Sequence, residues 1–456
     1  MMDTSKAYIQ TYLDRAAAAQ KEFETYSQEQ VDQMVRIVGK VVYDHAELLA
    51  RMAVEETGMG VYEDKVAKNR AKAKMIYHSI KDKKSVGIIE RDEVTGITKV
   101  AKPVGIVAAI TPCTNPIVTP MSNAMFALKG RNAIIITPHH KAIHCSTKTV
   151  ELVNEALAEA GAPPHLIQIL SEQSRENTRN LIAMADVVIA TGGMSMVHAA
   201  YSSGRPALGV GAGNVQCIID RDADYTDAVQ KIIAGRRFDN GIICSGEQTV
   251  IAPGDRFDEI LKIFAQYGAF LVTDPDQRAA FRETIFPEGQ MSRHALGQSP
   301  QAVGRLAGIS VPENAKVILI EAEGPGIKDL LSKEKMCPVL SAYRYQSFEE
   351  AVEIAKANLE MEGKGHSVSI HSNDKDHIEY AANQLSVSRF VVNQCCATSA
   401  GGSFFNGLAP TNTLGCGSWG HNSISENLDF KHLINISRVA YHMPDNPVPS
   451  DEELWA

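Results

Sequence analysis

Apolar residues recur at helical spacing along residues 4–83, and this spacing is lost near residue 103. A period of about 3.6 residues predicts a helical entry segment. Beyond residue 103, short apolar runs rich in β-branched residues alternate with helical patterns, starting with strand candidates at 104–111 and 132–137. This repeated order of strand, helix and strand predicts a doubly wound parallel sheet.

The same alternation resumes after about residue 240, with strand candidates such as 249–253 and 316–322. We therefore predict an α/β protein with two doubly wound domains. The first would span residues 1–238, the second residues 239–430, and a tail of residues 431–456 would follow.

Composition narrows the class of protein. The chain has 456 residues, of which 44% are hydrophobic and 22% charged, which is typical of a globular enzyme with a large core. The formal charge of −9 includes no basic run, so we expect no nucleic-acid partner. The apolar runs are too short to span a bilayer and no secretion signal opens the chain, which predicts a cytoplasmic protein without a membrane partner. The eight cysteines form no CxxC pair, so we expect neither a disulfide framework nor a metal site.

One cysteine has a neighbourhood that suits chemistry. Cys244 lies between the apolar pair 242–243 and the small polar pair 245–246, in a predicted loop between the two domains. A thiolate nucleophile needs access and nearby hydrogen-bond donors, which such a loop can offer. A buried structural cysteine is an equally good interpretation of these residues alone.

Asn115 follows a predicted strand and opens a predicted helix. Its amide would project from the carboxyl end of the strand, where open α/β sheets bind ligands, and could stabilise an oxyanion. Asparagine is also a good N-cap residue, and the sequence does not separate the two roles.

Three glycine-rich segments add candidates for binding. Residues 190–200 read as a strand, a glycine turn and a helix start, a geometry that can bind phosphate. Residues 209–214 lack the spacing of the dinucleotide fingerprint and read mainly as a turn. Residues 415–427 form a small, polar loop that could admit a substrate or cover a surface.

Together these segments resemble a known family, the CoA-acylating aldehyde dehydrogenases, over essentially the whole chain. The first half of bifunctional aldehyde–alcohol dehydrogenases is also similar. Within the family, residues 56–69 resemble most closely the branch that acts on succinate semialdehyde. The matching segments are residues 114–120, 200–214, 238–248, 333–340, 412–427 and 432–438.

This resemblance implies the fold and the partners of the protein. It implies an aldehyde dehydrogenase-like fold, with a cofactor-binding domain at residues 1–238, a catalytic domain at 239–430 and a small oligomerisation extension. It implies NAD or NADP as cofactor, coenzyme A as co-substrate, and a homodimer or homotetramer.

The resemblance also implies roles for single residues. Cys244 matches the thiol that becomes acylated, and Asn115 the side-chain oxyanion donor. Glu334 matches a glutamate of the superfamily that contacts the nicotinamide ribose. His366 matches a histidine that assists thiol chemistry, although a surface turn histidine is an equal alternative. The further residues expected at the cofactor are Thr111, Pro112, Thr137, His139, Thr191, Gly192, Gly193 and Gly211.

One departure from the wider superfamily concerns the reaction. Hydrolytic members carry a glutamate in the segment that matches residues 206–214, where it activates water against the thioester. This chain has no acid there. Without that base, we expect the thiol of CoA to take the acyl group. A hydrolytic enzyme and a non-catalytic homologue remain the rival interpretations.

The choice of aldehyde is the open part of the prediction. A succinate semialdehyde substrate needs a cation for its carboxylate, and Arg236 or Arg237 could supply it, with Ser245 nearby. Either arginine could equally be a solvated residue at a helix end, which is the more common case. Sulfoacetaldehyde is the second candidate, and acetaldehyde or butyraldehyde the third.

Overall fold

A computed structural model describes residues 4–456, apart from the side chain of Met194. The α-helices are α1 (Thr4–Phe23), α2 (Gln28–Asp44), α3 (Ala46–Thr57), α4 (Tyr62–Ile80), α5 (Val118–Lys129), α6 (Ile143–Glu159), α7 (Arg175–Met184), α8 (Met194–Tyr201), α9 (Tyr225–Arg237), α10 (Phe257–Gln266), α11 (Pro275–Ile285), α12 (Pro300–Leu306), α13 (Phe348–Met361), α14 (Lys375–Gln384), α15 (Cys396–Ser399) and α16 (Asp451–Trp455). The strands are β1 (Gly87–Asp92), β2 (Ile97–Pro103), β3 (Ile106–Ile110), β4 (Ala133–Thr137), β5 (Ile167–Ile169), β6 (Val187–Ala190), β7 (Ala207–Gly209), β8 (Gln216–Ile219), β9 (Thr249–Pro253), β10 (Ala269–Val272), β11 (Val317–Glu321), β12 (Val339–Tyr345), β13 (Gly365–His371), β14 (Val387–Val392) and β15 (Ile434–Ala440).

Four helices precede the first strand, as the helical spacing predicts. Helix α2 starts with a capping box, in which the Ser27 hydroxyl accepts from the Gln30 amide and the Gln30 side chain accepts from the Ser27 amide. Its valine stripe packs with α5 and the first sheet in one core cluster. The entry helices therefore form a layer over the first sheet and bring α4 next to the loops described below.

The first sheet is five-stranded and parallel, in the order β5-β4-β3-β6-β7. The chain winds outward from β3 in one direction and then returns to start β6 on its other side. Such a reversal opens a crevice at the carboxyl ends of β3 and β6, which is where doubly wound sheets bind dinucleotides. The predicted parallel sheet is confirmed, and its ligand edge is fixed by this strand order.

The second sheet has seven parallel strands, in the order β10-β11-β12-β9-β8-β13-β14. Strand β8 pairs with β9 and β13, so it belongs to this sheet rather than to the first. The chain therefore changes sheets between Gly209 and Gln216, and the boundary that the sequence predicts at residue 238 lies too late. Helix α9 accordingly packs on the second sheet.

A third, antiparallel sheet has the order β1-β2-β15. Strand β15 pairs with β2 from Ile434 to Ala440, so the predicted C-terminal tail is partly built into the fold. Within residues 4–456, no helix is long and apolar enough to cross a membrane.

Candidate active site

A cavity of about 200 Å³ lies where α4 meets the loops that follow β3 and α9. This volume suits a short organic molecule and is too small for a dinucleotide. The charged side chains among its described lining residues are two cations, Lys68 and Lys72. The lining residues are Ala67, Lys68, Ala71, Lys72, Met75, Asn115, Phe238, Ile243, Cys244, Ser245, Ala397, Thr398, Gly401, Thr411, Asn412 and Leu414.

Cys244 reaches this cavity just after a tight turn. Residues 239–241 all have left-handed backbone angles, with φ between 51° and 71°, and they redirect the chain from α9 into the cysteine loop. Cys244 is partly exposed, whereas Cys217 and Cys337 are buried. The interpretation of Cys244 as a buried structural cysteine is thus not supported.

The electrostatic surroundings keep Cys244 protonated in this state. Burial raises the pKa of its thiol to about 12, and the nearby Glu334 carboxyl group acts in the same direction. Arg389 and Lys72 lower the pKa but do not outweigh burial. The thiol must therefore lose its proton during the reaction before it can act as a nucleophile.

Asn115 lines the same cavity from the loop after β3. Helix α5 begins at Val118 and has Ile117 at its N-cap, so Asn115 does not cap this helix. Its Oδ1 accepts a hydrogen bond from Lys68 Nζ at 2.8 Å. Because the oxygen is engaged in this way, Nδ2 is the group that Asn115 can offer to a ligand beside Cys244.

A buried carboxylate, Asp239, holds Lys68 in place. Its Oδ2 accepts from Lys68 Nζ at 2.6 Å and from Lys65 Nζ at 3.0 Å, while its Oδ1 accepts from the Val61 amide at 2.8 Å. Burial alone would raise the pKa of Asp239, but the charges of Lys68 and Lys65 outweigh it and lower the pKa. Asp239 is therefore an anion shared by two lysines of α4.

Lys72 lies one turn further along α4. Its Nζ donates to the carbonyl oxygens of Gly401 and Thr411 at 2.8 and 2.9 Å. Burial lowers the pKa of Lys72 to about 8, so the protonated, cationic form of the side chain predominates at neutral pH. An ammonium group has three N–H donors, and the third can meet an anionic ligand in the cavity.

The acid-free segment 206–214 passes directly against Cys244. A Cβ atom at Gly213 would collide with the carbonyl group of Cys244, so a side chain does not fit there. The carboxyl group that helps to raise the pKa of Cys244 is that of Glu334. Burial raises the pKa of Glu334 to about 8, so the protonated form of this carboxyl group predominates near neutral pH.

The crevice at the carboxyl ends of β3 and β6 has the features of a nucleotide site. Among residues 4–456 the buried Thr111 hydroxyl has no hydrogen-bond partner, and the buried Pro112 follows it. Helix α8 starts after Gly193 without a side-chain cap, and a Cβ at Gly192 or Gly193 would meet no atom within 4 Å. Open amides at a helix N-terminus favour phosphate, so this crevice fits a dinucleotide.

Two predicted cofactor residues lie at strand ends of the first sheet, and their hydroxyl groups bond to other side chains. Thr191 shares a hydrogen bond of 2.8 Å with Thr413 and is buried at the end of β6. Thr137 donates to Gln173 Oε1 at 3.1 Å at the end of β4. Both lie at the ligand edge of the first sheet.

The other two predicted cofactor residues differ in their surroundings. His139 is half-buried with its ring 4.2 Å from that of His140, and burial lowers its pKa to about 4, so it is neutral near pH 7. The Gly211 amide donates to Cys416 Sγ at 3.2 Å, which places this glycine against the loop 415–427.

Comparison with known proteins identifies the arrangement. A family model described as the aldehyde dehydrogenase family matches residues 1–293 and 325–432. The chain belongs to the aldehyde dehydrogenase family. It is 55% identical to a succinate-semialdehyde dehydrogenase (acetylating) of Clostridium kluyveri, across 99% of this chain and 100% of that one. It is 42% identical to a sulfoacetaldehyde dehydrogenase of Acholeplasma sp, across 98% and 93%.

A solved structure of the family shows the same fold. The acetylating aldehyde dehydrogenase of Geobacillus thermoglucosidasius superimposes with a TM-score of 0.94 at 38% identity, and the match covers 98% of this chain and 100% of that one. The predicted family and the predicted aldehyde dehydrogenase-like fold are therefore confirmed.

The arginines of this aldehyde dehydrogenase do not lie where the substrate prediction needs them. Arg236 is fully buried and donates to the carbonyl oxygens of Gly241, Glu247 and Lys335 at 2.5–3.0 Å. It can neither meet a substrate nor be a solvated residue at a helix end, because its guanidinium group is enclosed and bonded to the backbone. Arg237 is exposed and outside the cavity lining.

Ser245 and His366 have more limited support. Ser245 lines the cavity, but its hydroxyl donates to the Ala397 carbonyl at 3.2 Å. His366 is fully buried in β13, so it is not a surface turn histidine. Among residues 4–456 neither of its ring nitrogens has a hydrogen-bond partner, and burial lowers its pKa well below the ordinary value. The catalytic role of His366 stays a prediction.

The sequence reasoning missed the two lysines of the cavity. Lys65, Lys68 and Lys72 continue the inward-facing row of α4 that Ile76 and Ile80 complete. Positions with this spacing are normally apolar, so lysines there mark a charged site under the helix. Lysines at these inward-facing positions of α4 were the feature of the sequence that could have indicated the charged site.

We predict that Gly213→Ala impairs the enzyme through a clash behind the nucleophile. The new methyl group must displace the Cys244 backbone, which should lower kcat on the order of 100-fold and stability by about 1–3 kcal/mol. Steady-state kinetics and thermal unfolding measure the two effects. Gly407→Ala is the matched control, because Gly407 is exposed with no atom near its Cβ position. A Gly213→Ala enzyme with wild-type kcat would contradict the close packing.

Proposed function

We propose that this enzyme reversibly converts succinate semialdehyde, CoA and NAD(P)+ into succinyl-CoA and NAD(P)H through a thioester on Cys244. The observation that carries the proposal is the cavity that Cys244 shares with Asn115 and Lys72. The relative from Clostridium kluyveri, named as a succinate-semialdehyde dehydrogenase (acetylating), supports the same choice of substrate.

The first step is attack of the Cys244 sulfur on the aldehyde carbon, after the thiol has lost its proton. The oxygen that becomes negative would be held by Asn115 Nδ2 and by the backbone N–H of Cys244. Residues Thr111 and Gly193, with Glu334 on the Cys244 side, would hold the dinucleotide. When bound, the dinucleotide supplies the acceptor for the hydride that leaves the former aldehyde carbon.

The fate of the thioester depends on which base is near it. Water needs a base to attack a thioester at a useful rate, and the segment 206–214 provides no acidic side chain. Glu334 is mostly protonated near pH 7, so only a minor fraction of it can accept a proton there. The thiol of CoA is the better nucleophile, and transfer of the acyl group to CoA regenerates Cys244.

Lys72 would bind the carboxylate at the far end of the substrate. It replaces Arg236 and Arg237 in this role because it lines the cavity and keeps a donor for a ligand. A carboxylate beside the ammonium group would stabilise its charge and offset part of the effect of burial. Sulfoacetaldehyde is also anionic and is the second candidate, supported by the sulfoacetaldehyde dehydrogenase relative.

We predict that steady-state formation of NAD(P)H from succinate semialdehyde depends on CoA, beyond one equivalent per active site, and disappears in Cys244→Ala. Cys395→Ala is the control, because Cys395 is partly exposed but lies outside the cavity lining. Initial rates with NAD and with NADP, each with and without CoA, provide the measurement and also decide the coenzyme. Turnover by Cys244→Ala, or full turnover of the wild type without CoA, would be incompatible with the proposal.

We predict that KM for succinate semialdehyde rises as the pH increases through about 8, where Lys72 loses its charge. Below that pH the ammonium group binds the carboxylate, and above it the attraction is lost. Lys72→Met should raise this KM on the order of 10- to 100-fold and remove its pH dependence, while KM for acetaldehyde changes little. Lys74→Met, an exposed lysine of the same helix, is the control. An equal change for acetaldehyde would exclude a carboxylate contact.

We further propose that the enzyme works in the cytosol as a homodimer or homotetramer. The edge of the three-stranded sheet exposes Val439 and Tyr441, apolar groups that association would cover. Light scattering of the purified protein should give the mass of two or four chains. A monomer at micromolar concentration would contradict this assembly.

A further inference from the structure

Lys68 connects the two loops that supply the reacting groups. Its Nζ donates to Asn115 Oδ1 at 2.8 Å and to Asp239 Oδ2 at 2.6 Å, and the side chain is about 8% exposed. Asn115 belongs to the loop after β3, and Asp239 to the turn that leads into Cys244. A single ammonium group therefore spans the gap between the oxyanion donor and the nucleophile loop.

The contact between Lys68 and Asn115 allows one orientation of the amide. An ammonium group can only donate, so the atom of Asn115 that faces it must be the oxygen. If the amide turned over, its NH₂ group would face the three N–H groups of Lys68 with no acceptor between them. The NH₂ group is consequently held on the side away from Lys68.

The charge of Lys68 also changes the strength of the amide as a donor. A hydrogen bond from a cation to the amide oxygen withdraws electron density, which makes the N–H groups at the other end better donors. This effect is largest where water is excluded, as it is around the buried pair of Lys68 and Asp239. It matters most when the ligand oxygen is negative.

Lys68 is held rigidly enough to perform this role. Asp239 is fixed by the Val61 amide and by Lys65, and its own backbone N–H donates to Asp64 Oδ2 at 2.8 Å. Lys65 shares the same carboxylate oxygen but lies outside the cavity lining. Both lysines thus bind Asp239, whereas Lys68 alone contacts Asn115 and lines the cavity.

We propose that Lys68 is a positioning residue that orients and polarises the Asn115 amide for the oxyanion formed on Cys244. The inference rests on the proposed function, because it requires that aldehyde chemistry take place at Cys244. It adds a function for a buried lysine of α4 that hydrogen-bonds to Asn115 and Asp239.

The test compares Lys68→Met with Lys65→Met. Both variants remove one cation from Asp239, so both should lower the unfolding temperature. Lys68→Met should also lower kcat and kcat/KM together by roughly 10- to 100-fold, because the lost interaction acts on the transition state. Lys65→Met should keep kcat within about threefold of the wild type, a change too small for the loss of an oxyanion contact.

Two further measurements separate positioning from a merely structural effect. Alkylation of Cys244 by iodoacetamide forms no oxyanion, so its rate should be the same in Lys68→Met and in the wild type. In an Asn115→Ala background, Lys68→Met should cause no further loss of kcat, since the group it positions is absent. If Lys68→Met does not fold, Lys68→Gln replaces it, and its kcat should fall at least severalfold because the charge is lost.

Several outcomes would overturn the inference. These are a wild-type kcat in the Lys68 variant, an equal loss in Lys65→Met, or an undiminished effect of Lys68→Met in the Asn115→Ala background. Failure of the proposed function itself would be recognised separately, because the wild type would then form no NAD(P)H from aldehyde in the presence of CoA.

Discussion

The catalytic cavity depends on one buried charge, the carboxylate of Asp239. Burying a carboxylate is costly unless cations and hydrogen-bond donors surround it, and here two lysines and a backbone amide do so. These contacts join helix α4 to the turn before Cys244, and Lys68 extends the connection to Asn115. The nucleophile, the oxyanion donor and the wall of the substrate cavity are therefore fixed relative to one another by a single cluster.

The acyl-transfer chemistry follows from what surrounds Cys244 on its other side. Gly213 lies so close to the nucleophile that a side chain does not fit, and the whole segment 206–214 lacks an acid. Glu334, the carboxyl group that helps to raise the pKa of the thiol, itself has a pKa raised by burial to about 8. Because segment 206–214 has no acid and Glu334 is mostly protonated near neutral pH, a thioester on Cys244 reacts slowly with water and remains available to a thiol.

The sequence predicts those parts of the molecule that depend on local patterns. The parallel sheets follow from alternating apolar segments, and the family follows from long motifs around Cys244 and Asn115. The start of the second sheet was predicted too late, because the four-residue strand β8 directly follows a glycine turn and pairs only with strands that come later in the chain.

The site was less predictable where long-range contacts decide a side chain's role. Arg236 reads as a solvated or substrate-binding residue, but distant carbonyl groups enclose it, including that of Lys335. No role was assigned to Lys68 and Lys72 from the sequence, yet the fold turns both side chains inward to line the cavity. The spacing of these lysines along α4 indicates that they face inward, but their partners come from segments far away in sequence, which local spacing cannot reveal.

The central claim is that the acyl group on Cys244 goes to CoA and not to water. The most direct measurement is to acylate the enzyme with succinate semialdehyde and NAD(P)+ in the absence of CoA, remove the small molecules, and follow the intact mass of the chain. We predict that the mass of one succinyl group persists in buffer and is lost promptly on addition of CoA, with release of succinyl-CoA. Loss of this mass at the same rate without CoA, with release of succinate, would contradict the account.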